Sequence, residues 1–375
     1  MPRRFIPVCE TSLDGNELKY VTHAVKSNWI SSSGDYVRAF ENRFAKFCGA
    51  KYAVGVCNGT VALHLALTAL GIGKNDEVLI PDFTMIASAF AVCYTGAKPV
   101  FVDAERDTWN LDPDQIEKKI TSRTKAIMAV PIFAHPCEMD KIRSIAERHR
   151  LFLIEDAAEA HGSRYKGKKT GALANITTFS FYANKNLTTG EGGMVVTQNR
   201  RLYKKALYFR NMCFSLDGVR DYVHRDIGFN YRMTNLTAAL GLAQTEKADH
   251  YVKRRIRNAE LYRRCLSDVP GILLQKKELH VVQATWMNGI LVDPLAFGRT
   301  RDQLSAHLSK KGIDNRVFFS GMHRQPSLLK YGCDTKGRYP VSDLLTNNGL
   351  YLPSSSHLKE EEIRFICRSV ARFGR

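Results

Sequence analysis

Hydrophobic positions in the N-terminal half of the chain fall into short apolar runs separated by amphipathic stretches. The runs are rich in β-branched and aromatic residues, as is typical of strands buried on both faces. The stretches between them carry apolar residues every three or four positions, as amphipathic helices do. The predicted strands are 52–57, 77–80, 99–103, 126–130, 151–155, 176–182 and 194–197, and the predicted helices between them are 59–70, 84–94, 113–120 and 139–148. Strands that alternate with helices predict an α/β fold with a mostly parallel central sheet.

The pattern changes towards the C-terminus, after residue 244. There the predicted elements are a long charged helix at 249–266, strands at 272–274 and 287–292, and helices at 301–311 and 360–373. At the other end, helices at 18–25 and 36–47 flank a polar loop at 28–34. We therefore predict an N-terminal arm (1–12), a large domain (13–250) and a small C-terminal α+β domain (251–375).

The composition is that of an ordinary globular protein. Hydrophobic residues make up 44% and charged residues 25% of the 375 positions. No apolar run reaches the roughly 18 residues of a membrane-spanning helix, and the N-terminus lacks the apolar segment of a secretory signal. We expect a cytoplasmic protein that does not enter a membrane.

Charge and cysteine usage narrow the class further. The net charge is +18, but the basic residues are dispersed and no nucleic-acid-binding motif accompanies them. Such a charge attracts anionic ligands in general, so we expect an anionic small molecule rather than nucleic acid. The nine cysteines are scattered without a C-x-x-C pair, which predicts reduced thiols and neither disulfides nor a bound metal.

One lysine occupies an unusual place, between a predicted buried strand and a glycine-rich turn. Ser180 and Tyr182 share one face of that strand, and Lys185 follows just before the turn at 188–193. An amine at the end of a buried sheet, beside backbone that a ligand can approach closely, suits a lysine that binds a carbonyl. For a lone lysine, ordinary solvent exposure is the commoner explanation. The neighbouring motifs favour the first explanation, a lysine that binds a carbonyl.

Polar groups at the ends of other segments complete a candidate site. Gly59 and Thr60 open a predicted helix, whose free N–H groups and dipole suit a phosphate, although a plain helix cap is the alternative. Ser180 can add a hydroxyl to the same place. Asp156 closes an apolar strand, where an unpaired carboxylate is costly, so we expect a cation such as a protonated pyridine nitrogen beside it. A polar loop at 228–235 precedes an apolar helix.

Five motifs together carry a family resemblance. They are NGTVALHLAL (58–67), EDAAEAHGS (155–163), FSFYANK (179–185), TTGEGGM (188–194) and GFNYRMTN (228–235). With them the chain resembles, over nearly its whole length, the DegT/StrS-type sugar-nucleotide aminotransferases of the fold type I, aspartate aminotransferase-like superfamily. The resemblance implies pyridoxal 5′-phosphate as cofactor, L-glutamate as amino donor and a homodimer with shared active sites. It is greatest to the branch that acts on GDP-4-keto-6-deoxymannose, and a UDP- or dTDP-linked keto sugar is the alternative.

The resemblance also implies roles for individual residues. Lys185 would bind the cofactor covalently and move protons, Asp156 would pair with its ring nitrogen, and Glu159 would lie near its phenolic oxygen. The residues implied in phosphate binding are Gly59, Thr60 and Ser180 of one subunit and Asn230 of the other. Met85 would pack against the cofactor ring. The residues implied in the sugar-nucleotide pocket, for which a loop or packing role is an equal alternative, are Trp29, Ser31, Asn184, Arg316 and His323.

The chain departs from the family pattern at three places. Met85 replaces an aromatic residue, the stretch 130–134 reads VPIFA where many relatives have a histidine, and Glu159 replaces a glutamine. Two rival classes are disfavoured. A dehydratase of the same family would carry histidine in place of Lys185, and a basic scaffold protein would not need Lys185 and Asp156 together.

Overall fold

The computed structural model describes residues 5–218 and 222–374. The first four residues of the predicted arm, residues 219–221 of the predicted large domain and the last residue of the predicted small domain lie outside the described residues. Residues 5 to 16 form neither a helix nor a strand, and an isolated bridge between Ile6 and Ile313 attaches this segment to the C-terminal part. The assignment of residues 1–12 as an arm stays a prediction.

Fourteen strands form three sheets among the described residues. In chain order they are β1 (Tyr52–Val56), β2 (Glu77–Pro81), β3 (Lys98–Val102), β4 (Thr124–Ala129), β5 (Phe152–Asp156), β6 (Arg164–Tyr165), β7 (Lys168–Lys169), β8 (Ile176–Ser180), β9 (Gly193–Thr197), β10 (Ile272–Leu274), β11 (Val281–Val282), β12 (Asn288–Val292), β13 (Arg316–Val317) and β14 (Gly349–Leu352). Each strand predicted in the N-terminal half is present, with ends shifted by a residue or two.

Seven strands make the central sheet, in the order β1-β9-β8-β5-β4-β2-β3. The pairs from β8 to β3 are all parallel, and β9 alone runs antiparallel, between β8 and β1. The prediction of a mostly parallel sheet is confirmed. Because parallel strands end at the same edge, β5 and β8 bring Asp156 and Ser180 to one side of the sheet.

Thirteen α-helices accompany these sheets in the described part of the chain. They are α1 (Glu17–Lys26), α2 (Asp35–Cys48), α3 (Gly59–Leu70), α4 (Ala87–Tyr94), α5 (Met139–Arg148), α6 (Arg200–Arg210), α7 (Asn235–Glu246), α8 (Ala248–Leu266), α9 (Pro294–Phe297), α10 (Arg301–Lys310), α11 (Pro326–Tyr331), α12 (Pro340–Asn348) and α13 (Glu360–Ala371). The helix predicted at 113–120 is instead two 3-10 turns, Pro113–Gln115 and Glu117–Lys119. A stretch this short gains few α-helical hydrogen bonds, so the tighter turn competes.

Helix α3 is the element that most directly shapes the site. The Asn58 side chain accepts a hydrogen bond from the Val61 N–H at 3.0 Å, which fixes where the helix begins. Gly71 ends it in a left-handed conformation (φ 83°) that glycine adopts without strain. Leu63, Leu65 and Leu67 are buried, so the helix is held firmly against the sheet.

A second hydrophobic core lies in the C-terminal part. It packs the antiparallel sheet β10-β12-β14-β13 against α8, α10 and α13, and it includes Ile6 of the arm. Helix α8 contributes Tyr251 to the first core and Leu261 to the second, so it joins the two. A third cluster, which includes Leu79 and Ile127, lies on the opposite face of the central sheet from the first. The division into two domains and the boundary at residue 250 stay predictions. Nowhere in residues 5–218 or 222–374 does a helix combine the length and apolarity needed to cross a bilayer.

Candidate active site

The amino end of α3 and the end of β8 form a small polar cradle. A Cβ built on Gly59 would lie 2.7 Å from Ser180 Cβ and 3.0 Å from Ser180 Oγ, so only glycine allows this approach. Asn58 caps the Val61 N–H, and within the described chain no hydrogen-bond partner occupies the N–H groups of Gly59 and Thr60. Two free N–H groups, a hydroxyl and the positive end of the helix dipole fit a phosphate.

Asp156 is the last residue of β5 and is buried. The Ser88 hydroxyl donates to Asp156 Oδ2 at 2.8 Å, and Thr84 Oγ1 lies 3.4 Å from Ser88 Oγ. Burial raises the pKa of the Asp156 carboxyl above its ordinary value, although the Ser88 hydrogen bond and the charge of Lys185 oppose this. None of the ion pairs within the described ranges includes this carboxylate. The Ala158 N–H donates to Asp156 Oδ1 at 3.3 Å, and the carboxylate is available to pair with a cation of a bound ligand.

Glu159 is buried on the same side of the sheet and accepts the Phe133 N–H at 2.7 Å through Oε2. Phe133 and Ala134 have φ values of 53° and 72°, which residues other than glycine rarely adopt. The surroundings hold this turn, since Gln283 donates to the Phe133 carbonyl at 3.1 Å and Ser163 to the Ala134 carbonyl at 2.7 Å. Burial raises the pKa of Glu159 to about 7, so it can share a proton with a phenolic oxygen.

Lys185 stands in the turn that follows β8. Its Nζ lies 3.7 Å from the centre of the Trp286 ring, and Trp286 Nε1 donates to the Asn184 carbonyl at 2.9 Å. Burial lowers the pKa of the Lys185 amine, while the charges of Glu159 and Asp156 oppose this. A lowered pKa increases the neutral fraction of the amine, which is the nucleophilic form.

These groups together fit pyridoxal phosphate. The amine of Lys185 suits its carbonyl carbon, the Asp156 carboxylate its protonated ring nitrogen, and Glu159 its phenolic oxygen. The cradle at Gly59 suits its phosphate. Asn184 adds a buried Oδ1 that has no hydrogen-bond partner among the residues described. The donor set of this chain therefore matches each polar group that the cofactor presents.

Met85 lies at the rim of the site, in the loop before α4. Its side chain is 48% exposed, and its sulfur accepts the Ala87 N–H at 3.0 Å. The preceding residue, Thr84, belongs to the hydroxyl chain that reaches Asp156 through Ser88. The position agrees with a contact to the cofactor ring, and that role stays a prediction.

Three of the predicted site residues lie instead beside the β1 edge of the sheet, namely Trp29, Ser31 and Asn230. Asn235, at the start of α7, donates its N–H to the Ser31 carbonyl and its side-chain amide to the Trp29 carbonyl, both at 2.6 Å. Asn230 pairs with Asn211 in an antiparallel bridge, and its side chain is exposed. No hydrogen bond of the described residues joins this group to the cradle or to the lysine turn. The roles of these residues in the site stay predictions.

Arg316 and His323 already have partners of their own. Arg316, in the exposed strand β13, pairs with Asp314. His323 Nδ1 lies 2.7 Å from Asp82 Oδ2, and its Nε2 lies 3.2 Å from Asp343 Oδ1. Both ring nitrogens are occupied, so a direct contact with a sugar would need this arrangement to open. The pocket roles of the two residues stay predictions.

Two residues of the site were not identified from the sequence. Ser88 follows Thr84 by one helical turn, and that spacing was the available signal. Trp286 reaches the lysine turn from a distant part of the chain, so no local pattern indicates it. The strand that ends in Asp156 is also less apolar than predicted. It contributes a second carboxylate to the interior, since Glu155 is fully buried and accepts the Gly171 N–H at 2.9 Å.

One cluster outside the site has the residue types of a metal site. Potential ligand atoms of Glu138, Glu278 and His280 lie within 4.8 Å of one another. His280 Nε2 is 3.1 Å from Glu138 Oε1 and 3.4 Å from Glu278 Oε2, so one ring nitrogen faces both carboxylates. The arrangement is that of an ion-pair network.

The fold and the fit of the site to pyridoxal phosphate indicate the class of protein, an enzyme that depends on this cofactor. Residues 11–371 match the DegT/DnrJ/EryC1/StrS aminotransferase family, and the chain belongs to this family. It is a pyridoxal-phosphate-dependent aminotransferase, which confirms the predicted fold class, family and cofactor. The individual site residues remain predictions.

Its relatives cover nearly the whole chain. It is 44% identical to the GDP-perosamine synthase of Escherichia coli O157:H7, over 99% of each chain. It is 39% identical to the GDP-perosamine synthase of Vibrio cholerae, over 98% of this chain and 99% of the relative. Among solved structures, DesV of S. venezuelae superposes with a TM-score of 0.90 at 34% identity, covering 96% of this chain and 94% of DesV.

Proposed function

We propose that the chain moves the amino group of L-glutamate to C4 of GDP-4-keto-6-deoxy-D-mannose and forms GDP-perosamine and 2-oxoglutarate. The observation that carries the choice of substrate is the identity of 39% and 44% to GDP-perosamine synthases, sustained over 99% of their length. The position of the amine, the carboxylates and the phosphate cradle supports amino transfer. A UDP- or dTDP-linked keto sugar is the second candidate.

The residues of the site have separate tasks in this reaction. When bound, pyridoxal phosphate supplies the carbonyl that takes up the amino group and the ring that withdraws electrons from the reacting carbon. Lys185, with its lowered pKa, moves a proton between the substrate carbon and the cofactor as base and then acid, away from the α-carbon of glutamate in the first half of the reaction and to C4 of the sugar in the second. Asp156, oriented by Ser88, accepts the hydrogen bond of the protonated ring nitrogen and stabilises its charge.

A panel of sugar nucleotides tests the choice of substrate. The purified enzyme is incubated with L-glutamate and the 4-keto-6-deoxy sugars linked to GDP, UDP or dTDP, and 2-oxoglutarate is measured. We expect the GDP sugar to be preferred at least tenfold in kcat/KM, which corresponds to about 1.4 kcal/mol. A preference for a UDP or dTDP sugar would support the second candidate. No turnover of any sugar, with cofactor bound, would contradict both.

We further propose that the enzyme is a two-fold dimer in which each site borrows residues from its partner. Large apolar side chains are exposed around these residues. On the loop that is hydrogen-bonded to α7, Trp29 is 59% and Ile30 50% exposed, and three residues before Asn230, Ile227 is 89% exposed. Exposed apolar side chains of this size are typical of an interface. An exposed Asn230 can then reach a phosphate bound in the neighbouring subunit.

Mixing two inactive variants tests the shared site. Lys185→Ala subunits and Asn230→Asp subunits should each be inactive, and their mixture should regain activity because one site of each mixed dimer keeps both groups. Light scattering checks that the protein is dimeric, and a tag on one variant checks that subunits exchange. Exchange without recovered activity would show that Asn230 acts within its own chain.

We assign the enzyme to the cytoplasm on the chemistry of its thiols. All nine cysteines are free, and several, including Cys48 and Cys137, are buried. Free thiols are typical of a reducing compartment. The expected test is fractionation, in which the activity should be recovered with the cytosolic proteins and without detergent.

A further inference from the structure

We propose that Trp286 is a positioning residue for Lys185. Its ring face holds the lysine amine at the site, and its N–H fixes the turn on which the lysine stands. The proposal rests on the proposed function, since it takes Lys185 as the cofactor lysine. It adds a residue from the C-terminal half of the chain to a site otherwise built on the central sheet.

The first contact is between the amine and the ring. Lys185 Nζ lies 3.7 Å from the centre of the Trp286 ring, well inside the roughly 6 Å over which a cation is attracted to an aromatic face. Trp286 is only 5% exposed, so little water weakens this attraction. No carboxylate in the described part of the chain forms an ion pair with Lys185. Among the described residues, the ring face is therefore the direct contact that the structure gives the amine.

The second contact fixes the turn. Trp286 Nε1 donates to the Asn184 carbonyl at 2.9 Å, one residue before Lys185. One residue after it, the Asn186 side chain donates to the Ala284 carbonyl at 3.2 Å. The segment 284–286 thus holds the turn on both sides of the lysine. Because one side chain makes both contacts, the hydrogen bond from Nε1 also fixes the position of the ring relative to the Lys185 amine.

Trp286 is itself held from behind. Arg255, on α8 and 3% exposed, donates Nη1 to the Trp286 carbonyl at 2.7 Å. The Ala284 N–H donates to the Ser163 hydroxyl at 3.0 Å. Between them, Thr285 has a φ of 44°, an outlier for a β-branched residue that persists only where neighbours fix it. The indole therefore stands in a rigid setting, as a positioning residue must.

An aromatic face suits this task better than a carboxylate does. A carboxylate close to the amine would favour its protonated form and so suppress the neutral base. The ring attracts the cation without accepting its proton in a strong hydrogen bond. When the amine is released from the cofactor by an arriving substrate, the ring keeps it close to the reacting carbon. Asp156 and Glu159 act on the amine only through their charges.

Trp286 also packs in the core, with its ring 6.2 Å from that of Tyr351, so the test must separate positioning from packing. Trp286→Leu removes the ring and the N–H, and Trp286→Phe keeps a ring but removes the N–H. The matched control is Trp109→Phe, which alters a tryptophan of the same core that is 2% exposed and has no contact with the lysine turn in the described structure.

Two readouts address the lysine directly. The first is the rate at which the apoenzyme captures pyridoxal phosphate, and the second is the midpoint of the pH titration of the visible absorbance of the holoenzyme. We expect Trp286→Leu to slow capture about tenfold and to shift the midpoint, with kcat reduced more than KM is changed. Trp286→Phe should slow capture less and keep the midpoint near that of the wild type.

The control sets the limit for a packing effect. Trp109→Phe should lower the melting temperature and leave both readouts unchanged. The proposal is overturned if a folded Trp286→Leu matches this control in capture rate and midpoint. If Trp286→Leu does not fold, an unchanged capture rate in Trp286→Phe overturns it instead. If the cofactor is found on another lysine, the proposed function fails; if it is on Lys185 and the variants match the control, only this inference fails.

Discussion

Replacing Gly59 with alanine tests the phosphate cradle at its tightest point. The added methyl group would lie 2.7 Å from Ser180 Cβ, a distance that real Cβ atoms essentially never show, so the end of β8 or the start of α3 must move. Gly59 does not have a left-handed backbone conformation, so alanine fits its main chain. The perturbation is thus purely steric and affects the two groups that would bind the phosphate.

The expected size follows from the cost of overpacking. Forcing one extra methyl group into a packed site costs about 1–3 kcal/mol. If binding the cofactor requires Ser180 to return to its place, affinity for pyridoxal phosphate should fall by about 5- to 150-fold. Alanine has a higher helix propensity than glycine, so the helix itself should not be weakened.

Titration of the apoenzyme with pyridoxal phosphate, followed by visible absorbance, measures this affinity. The matched control is Gly73→Ala, where the nearest atom to an added Cβ is the Thr95 carbonyl oxygen at 3.8 Å and φ is unexceptional. We expect the control to bind the cofactor as the wild type does. Unchanged affinity in a folded Gly59→Ala enzyme would refute the assignment of the cradle.

Two further predictions concern the buried carboxylates of β5. Asp156→Asn removes the charge at nearly constant shape, so turnover should fall about 10³-fold, or about 4 kcal/mol, with cofactor still bound; a loss below about tenfold in steady-state assays would mean a structural role. Glu155 has a pKa raised from 4.5 to about 7 by burial, so the folded state favours its protonated form. The protonated Glu155 carboxyl stabilises the folded state at low pH, and this stabilisation is lost as the pH rises through about 7. Glu155→Gln, which carries no charge at any pH, should therefore be more stable than the wild type at about pH 8, by up to about 3 kcal/mol. It should lose this advantage at about pH 5. Urea unfolding at both pH values measures the difference in free energy of unfolding between the variant and the wild type. The same difference at both pH values would contradict the reasoning.

Features that depend on local signals could be predicted from the sequence. Helix α3 was predicted with its observed bounds because apolar residues recur at helical spacing between 59 and 70, and in the structure Asn58 and Gly71 cap its two ends. The parallel sheet followed from apolar runs that alternate with helices. Ser180 and Asp156 were predicted to share a site because the ends of such strands meet at one edge. In each case the information lies within a few residues of the feature.

Features that depend on distant contacts could not be predicted. The turn at Phe133 and Ala134 adopts conformations unusual for these residues, and Gln283 and Ser163 hold it there. Trp286 meets the lysine turn only after the chain has folded. The two-residue strands β6, β7, β11 and β13 are too short to show a period. Nothing in the sequence around His323 indicates that Asp82 and Asp343 contact its two ring nitrogens.

The central claim is that Lys185 carries the cofactor, and locating the cofactor on the chain tests it most directly. Borohydride reduction of the holoenzyme fixes the cofactor to its lysine, and mass spectrometry of the digested protein identifies the modified peptide. The account predicts the added mass on the peptide that contains Lys185, and no modified peptide from Lys185→Ala. The added mass on a different lysine, in an active enzyme, would contradict it.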